Sequence, residues 1–274
     1  MSEQNHSEPR RSERPSAERV HLDVDGAVAT ITNDNPDKHN AFDDEMDARL
    51  FEVLAELRAR TDVRVVIWRG EGRSFSSGRD VGSIGTKQTE LSHHELMRRG
   101  HRGIQQLWEM DQPVLVACKG WVMGGSFQRA LLCDVRVAAE GTRFRLPELT
   151  HGVIPDTGGV AVLHQMCGPG VVSDLVLTGR IMEVDEALAH GIVSRVVPAE
   201  QLDDVVREMA EQIAATPTVT VKLAREVIRH LSLPELRASM ADEMVYQTTL
   251  NRSDDFAEFR AARTEGRAPR YTGS

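Results

Sequence analysis

The chain has 274 residues, with 33 Lys and Arg against 42 Asp and Glu, a formal charge of −9 at pH 7. That balance excludes the basic stripe of a nucleic-acid surface, so an anionic ligand has to be met by local Lys and Arg. Hydrophobic residues at 40% and charged residues at 27% are ordinary for a soluble globular enzyme, and a chain this long buries about three-quarters of its unfolded surface without staples.

Residues 1–17, rich in Ser, Glu, Arg and Pro, read as a disordered tail without the apolar region of a signal peptide. Val20 to Asn33 alternates around Asp25-Gly26, the signature of a hairpin. Asp43 can cap a helix running to about Arg60, with Met46, Leu50, Leu54 and Leu57 on one face. Val63 to Trp68 is a strand by composition, and it leads through Gly70-Glu-Gly-Arg to Ser74-Phe-Ser-Ser-Gly-Arg-Asp80. His93 to Met110 reads as a helix and Pro113 to Cys118 as a buried strand. Gly124-Gly125 then turns the chain into a helix over Ser126–Cys133. Two glycines between strand and helix let backbone N–H groups approach a ligand at the positive end of a helix dipole, the geometry that stabilises an oxyanion.

Val135 to Ala139 is a short strand, Asp174–Leu177 and Val184–His190 are helical, and Ile192 to Val197 is a strand. Beyond Pro198 strand-like runs give way to amphipathic segments at about 200–215, 218–231, 234–249 and 254–264. The alternation of strands and helices predicts an α/β core over 18–198 followed by a helical subdomain over 199–274. Cys118, Cys133 and Cys167 are isolated and predict reduced thiols, neither a disulfide frame nor a zinc site. No run reaches the length of a membrane span, and a cytoplasmic protein is expected.

Three segments stand in a particular order: Phe75 to Asp80, Gly120 to Asp134, and Phe144-Arg-Leu-Pro-Glu148 through Pro155-Asp-Thr-Gly-Gly159. Together they resemble the signature of the crotonase family of enoyl-CoA hydratases and isomerases, and the resemblance extends from Asn35-Pro-Asp-Lys-His-Asn-Ala41 to the closing Gly273. It implies a crotonase-like spiral of ββα turns and C-terminal helices that pack between subunits of a homotrimer or a dimer of trimers. The substrate it implies is an acyl-CoA thioester, with coenzyme A belonging to the substrate and no separate cofactor or metal.

Carried onto this chain, the resemblance assigns the thioester oxygen to the backbone N–H groups of Arg79 and Gly125. It places Lys38, Ser77, Gly78, Asp80 and Gly124 against the substrate. Lys38, Arg73, Lys87, Arg263 and Arg267 are candidates for coenzyme A phosphates, and the Arg79 side chain is expected to point to solvent or to such a phosphate. Family hydratases carry glutamate at the positions of Gln128 and Glu148. Glutamine hydrogen-bonds to water but accepts no proton, so half of that acid–base pair is missing. Asp156 stands where hydratases often have glycine and double-bond isomerases often have a carboxylate. With Glu148 it supplies a base near each of two carbons. These departures favour shifting a double bond over hydration by Glu148 alone. The same residues are also compatible with a thioester or carbon–carbon hydrolase, and with a non-catalytic acyl-CoA-binding protein.

Overall fold

The computed structural model describes residues 15–83, 92–231 and 233–273. The expected tail lies outside these residues up to position 14, and Ser16–Arg19 form one helical turn, α1. The hairpin follows as β1 (Val20–Asp25) and β2 (Val28–Asn33), with Asp25 opposite Val28 across the turn that Gly26 makes at φ 59°. The Asp43 carboxylate caps α2 (Asp44–Ala59) by accepting the Met46 N–H at 2.9 Å. Ser92 and Glu95 form a reciprocal capping box on α3 (His93–Glu109).

Six strands form the main sheet in the order β1-β2-β3-β4-β6-β9, parallel from β2 onward, with β3 at Val65–Gly70, β4 at Val114–Cys118, β6 at Val135–Ala139 and β9 at Arg195–Val197. Its strands are apolar on both faces because both faces are covered. Val66, Trp68, Val116 and Cys118 join the larger core with Met46, Leu50, Leu54 and Leu57 of α2 and with Ile104 and Leu107 of α3. Their alternating neighbours Val65, Ile67, Leu115 and Ala117 meet Leu202, Val206, Ala210 and Ala214 of α7 (Leu202–Ala214). Thus α7, in the span expected to begin a separate helical subdomain, closes one face of the sheet.

A second, three-stranded sheet has the order β5-β7-β8, from Trp121–Met123, Arg143–Arg145 and Ile181–Glu183. Strand β4 is followed by β5 and the helix α4 (Gly124–Leu131), and β6 by β7 and the helix α5 (Gly159–Thr178). After β3, Ser76 bridges Val122 in parallel before the chain reaches α3. These are successive strand–strand–helix turns, the repeat that the sequence conceals.

Helix α5 is far longer than the expected helix at Asp174–Leu177. By length and composition it is the one helix among the described residues that could cross a membrane, which corrects the expectation that no run is long enough. Gly168, at φ 73° and ψ 170°, breaks it, Pro169 follows, and Leu163, Val172 and Leu175 are buried in the core. The short helix α6 (Val184–Ala189) precedes β9.

The last three helices are α8 (Thr218–His230), α9 (Leu233–Leu250) and α10 (Asp254–Glu265). Arg225 docks α8 on the core: its guanidinium donates to Asp134 Oδ1 at 2.7 Å, to Leu107 O at 3.0 Å and to Met110 O. Only 5% of Arg225 is exposed, so its removal strands the buried carbonyls of Leu107 and Met110 and leaves Asp134 without its cation. Arg225→Met should lower unfolding stability by about 3–5 kcal/mol, read from the urea midpoint. A shift within error would mean that the helices dock by apolar contact alone.

Candidate active site

Two glycine turns meet at the centre of the molecule. Phe42 N–H donates to Gly78 O at 2.8 Å and Asp80 N–H to Phe42 O at 2.7 Å, which turns the Arg79 N–H the other way. Gly78 sits at φ 88°, and a Cβ there would lie 2.7 Å from Met123 O and 3.3 Å from Gly124 Cα. The two backbones can touch only because Gly78 carries no side chain; at Gly124 a Cβ would make ordinary contacts, and it is the positive φ that calls for glycine. Gly124, at φ 56°, opens α4, so Gly125 falls in the first turn, whose N–H groups have no intrahelical partner. Among the described residues neither the Arg79 nor the Gly125 N–H has a protein acceptor. At Gly125 no positive φ demands glycine, and a Cβ would meet nothing nearer than Thr157 Oγ1 at 3.7 Å. The space beside it opens into a cavity of about 540 Å³, also lined by Lys38, Ser77, Asp80, Glu148 and Asp156.

Buried hydroxyls brace this junction. Ser76 Oγ donates to Asn40 O at 2.7 Å, accepts the Gly78 N–H at 3.1 Å and meets Ser126 Oγ at 2.8 Å, so Ser126 is the donor of that last bond. The Asn40 side chain ties the same loop to Ser74 O and Glu71 O.

Glu148 follows Pro147 in a short 3-10 turn and is buried. Its Oε1 accepts from Gln128 Nε2 at 2.8 Å, and the Gln128 amide is oriented by the Thr157 N–H, which donates to Gln128 Oε1 at 3.0 Å. Both ends of the Gln128 amide thus bond to protein, and the side chain, fully buried, does not line the cavity. Glu148 Oε2 is buried and, among the described residues, unpartnered. Burial pushes the Glu148 carboxyl up to about 7, and the charge of Asp156 adds to this against the bonds from its own N–H and from Gln128. Burial also raises Asp156, opposed by the charges of His101, Arg129 and Arg79. Two carboxyls whose pKa values are displaced toward neutrality thus share one cavity with two unsatisfied N–H donors, an arrangement suited to moving protons next to a carbonyl whose oxygen gains charge.

The Arg79 side chain departs from expectation. It pairs with Asp47 at 2.9 Å and with Asp44, both on α2, and Arg129 contacts the other oxygen of Asp47 at 2.7 Å. It is thus held in an ion pair with α2, with 32% of its side chain exposed. Lys38 pairs with Asp80 at 2.7 Å, and although burial disfavours the Asp80 charge, Lys38 and the Gly82 N–H hold its carboxyl below the usual range. Ser77 Oγ donates to Lys38 O at 3.1 Å. Arg267 is bound to Glu258 and Glu265, and Lys87 lies outside the described residues. Sequence reasoning missed His101, Glu243 and Gln247, which hold the loop around Asp156. Only the apolar residues spaced along the same helices hinted that those faces are buried. Among the described residues no group of three or more His, Cys, Asp or Glu is arranged to hold a metal.

The sequence profile of the enoyl-CoA hydratase/isomerase family matches residues 23–274. A carnitinyl-CoA dehydratase of Proteus mirabilis is 33% identical over 262 residues, covering 94% of this chain and 99% of that protein. Among solved structures, an enoyl-CoA hydratase/isomerase of Pseudoalteromonas atlantica superposes with a TM-score of 0.84 at 28% identity, covering 93% of this chain and all of that one. An enoyl-CoA hydratase/carnithine racemase of Magnetospirillum magneticum gives 0.73 at 29%, covering 93% and 96%.

A carboxyl raised from 4.5 to about 7 in the folded state binds its proton more tightly there than in the unfolded chain. The stability this contributes is complete below pH 4.5 and is lost as pH rises through 7. Glu148→Gln keeps an oxygen for the Gln128 amide and carries no titration. Its stability relative to the parent should rise by roughly 3 kcal/mol between pH 4.5 and 8, read from urea midpoints. Parallel profiles for the two proteins would mean that Glu148 ionises freely.

Proposed function

Because the chain belongs to the enoyl-CoA hydratase/isomerase family, we propose that it removes water from a 3-hydroxyacyl-CoA and, in reverse, hydrates the 2-enoyl-CoA. The observation that carries this reading is the buried Glu148, with its partnerless Oε2, in one cavity with Asp156 and the Arg79 and Gly125 N–H groups. The activity in the name of the Proteus relative, a dehydratase, supports water elimination over the isomerisation that Gln128 and Asp156 suggest by themselves.

In the proposed reaction the two N–H groups hold the thioester oxygen. Glu148 takes the proton from C2, and the C–H electrons move into the carbonyl to give an enolate. Each preorganised donor to that oxygen is worth about 3–4 kcal/mol. The C3–O bond then breaks as the enolate electrons form the C2–C3 double bond, and the departing hydroxide takes a proton from Asp156 and leaves as water. Gln128 transfers no proton; it holds Glu148 Oε1 so that Oε2 reacts. Lys38, Ser77, Gly78, Asp80 and Gly124 form the substrate-facing wall.

Double-bond shift is a second reading, favoured by the absence of an acid–base group at position 128. The two separate by product and by exchange. The parent, given a 3-hydroxyacyl-CoA in deuterated water, should release 2-enoyl-CoA with exchange confined to C2. Glu148→Gln and Asp156→Asn should each cost about 10²–10⁴-fold in kcat. Exchange at both C2 and C4, with conversion of 2-enoyl- to 3-enoyl-CoA and no hydration, would replace dehydration with isomerisation.

The proposed partner in assembly is a further copy of the chain, in a trimer or a dimer of trimers. Leu236 and Met240 are buried in the chain's own core, but Leu223, Val227, Ile228 and Leu231 on and just after α8 are 54–79% exposed. Four exposed apolar side chains gathered at one end of a helix are the kind of surface that marks a protein–protein contact. Sedimentation at micromolar concentration should give a closed oligomer, and a stable monomer would overturn the assembly.

A further inference from the structure

The segment Ile154–Gly158 carries Asp156 yet belongs to no helix or strand. Its backbone is held by side chains from elsewhere. Ile154 N–H donates to Gln247 Oε1 at 3.1 Å, Thr157 N–H to Gln128 Oε1 at 3.0 Å, and Gly158 N–H to Glu243 Oε2 at 2.9 Å. Asp156 O accepts from His101 Nε2 at 2.8 Å, which assigns the proton to that ring nitrogen. Two of the four holders, at both ends of the segment, come from α9.

The polar residues on that face of α9 are costly for a helix that needed only to pack. Glu243 and Gln247 are 6% and 4% exposed and continue the stripe of Leu236 and Met240. A buried carboxylate is retained at a cost unless its bonds compensate for lost water. Glu243 meets this condition with two: Gly158 N–H on Oε2, and Ser239 Oγ on Oε1 at 2.9 Å. Burial still pushes its carboxyl up to about 7. Packing adds to the constraint, since a Cβ on Gly158 would lie 2.7 Å from Leu236 Cδ1, so α9 and the loop have little slack between them.

We propose that Glu243, with Gln247, is a positioning residue for Asp156: the C-terminal helix α9 sets where the Asp156 carboxyl stands in the cavity. This rests on the proposed role of Asp156 in proton transfer. Glu243 touches no reacting atom; it acts through the Gly158 N–H and the four-residue path back to Ile154. The chemistry of the cavity therefore depends on α9 being docked.

The test is a double-mutant cycle on the full chain, with folding checked by circular dichroism and melting. Glu243→Gln offers an oxygen to Gly158 N–H and an amide to Ser239 Oγ, and should keep kcat within about threefold of the parent. Glu243→Leu leaves Gly158 N–H without an acceptor and should lower kcat by about 10–100-fold with little change in KM, the scale expected of a displaced acid–base group. In the Asp156→Asn background the same change should cost nothing more. If Glu243→Leu does not fold, Gln247→Met enters the same cycle. Full kcat in folded Glu243→Leu while Asp156→Asn is severe overturns the positioning role alone, as does an undiminished loss in the Asp156→Asn background. An inert Asp156→Asn overturns the assignment of Asp156 itself.

Discussion

The contact on which the rest of the structure depends is between two backbones, at Gly78 and Gly124. A methyl group on Gly78 would stand 2.7 Å from Met123 O, so the two turns close on each other only with glycine at 78, while Gly124 answers to its φ of 56°. That contact makes the Arg79 and Gly125 N–H groups neighbours, although they stand 46 positions apart in sequence, with α3 and β4 between them. Around it the fold is arranged as support: Ser76 bridges Val122, its hydroxyl holds Gly78, and Ser126 at the start of α4 completes the set. A pair of donors held by crossing backbones needs no reorganisation to meet a charge that develops between them.

The charges near this pair are distributed so that few are free. Arg79 and Arg129 are engaged by Asp44 and Asp47, leaving the cavity wall close to neutral despite four ionised groups. Their field still reaches Asp156 and opposes the rise that burial imposes on it, whereas no cation is among the groups that act on Glu148. Two carboxyls in one cavity therefore experience different environments.

Much of this was legible in the sequence, for identifiable reasons. The hairpin at Gly26, the cap at Asp43 and the buried strand before Gly120 are local, and the residues that make them sit next to one another. The meeting of Gly78 with Gly124, and of both with Glu148, came from the resemblance, because contacts across the fold leave no local trace. The three-residue strands of the second sheet are too short for any period to show, and the pairing of Arg79 with α2 depends on a crossing that composition cannot express. The placement of α7 was hidden for the same reason: its amphipathic pattern says that one face is buried, but not that the sheet buries it.

Gln128 is the position where local chemistry and tertiary context are hardest to separate. As an isolated residue it reads as a lost acid–base group that still can bind water. In place, the Thr157 N–H fixes which end of its amide faces Glu148, and the amide N–H occupies one carboxylate oxygen of Glu148 and leaves the other. A glutamate there would set two carboxyls 2.8 Å apart, a spacing at which both do not ionise together. Glutamine removes that competition. Glu148 is left with one unpartnered oxygen, and a second carboxyl in the cavity comes from another wall, where Asp156 stands.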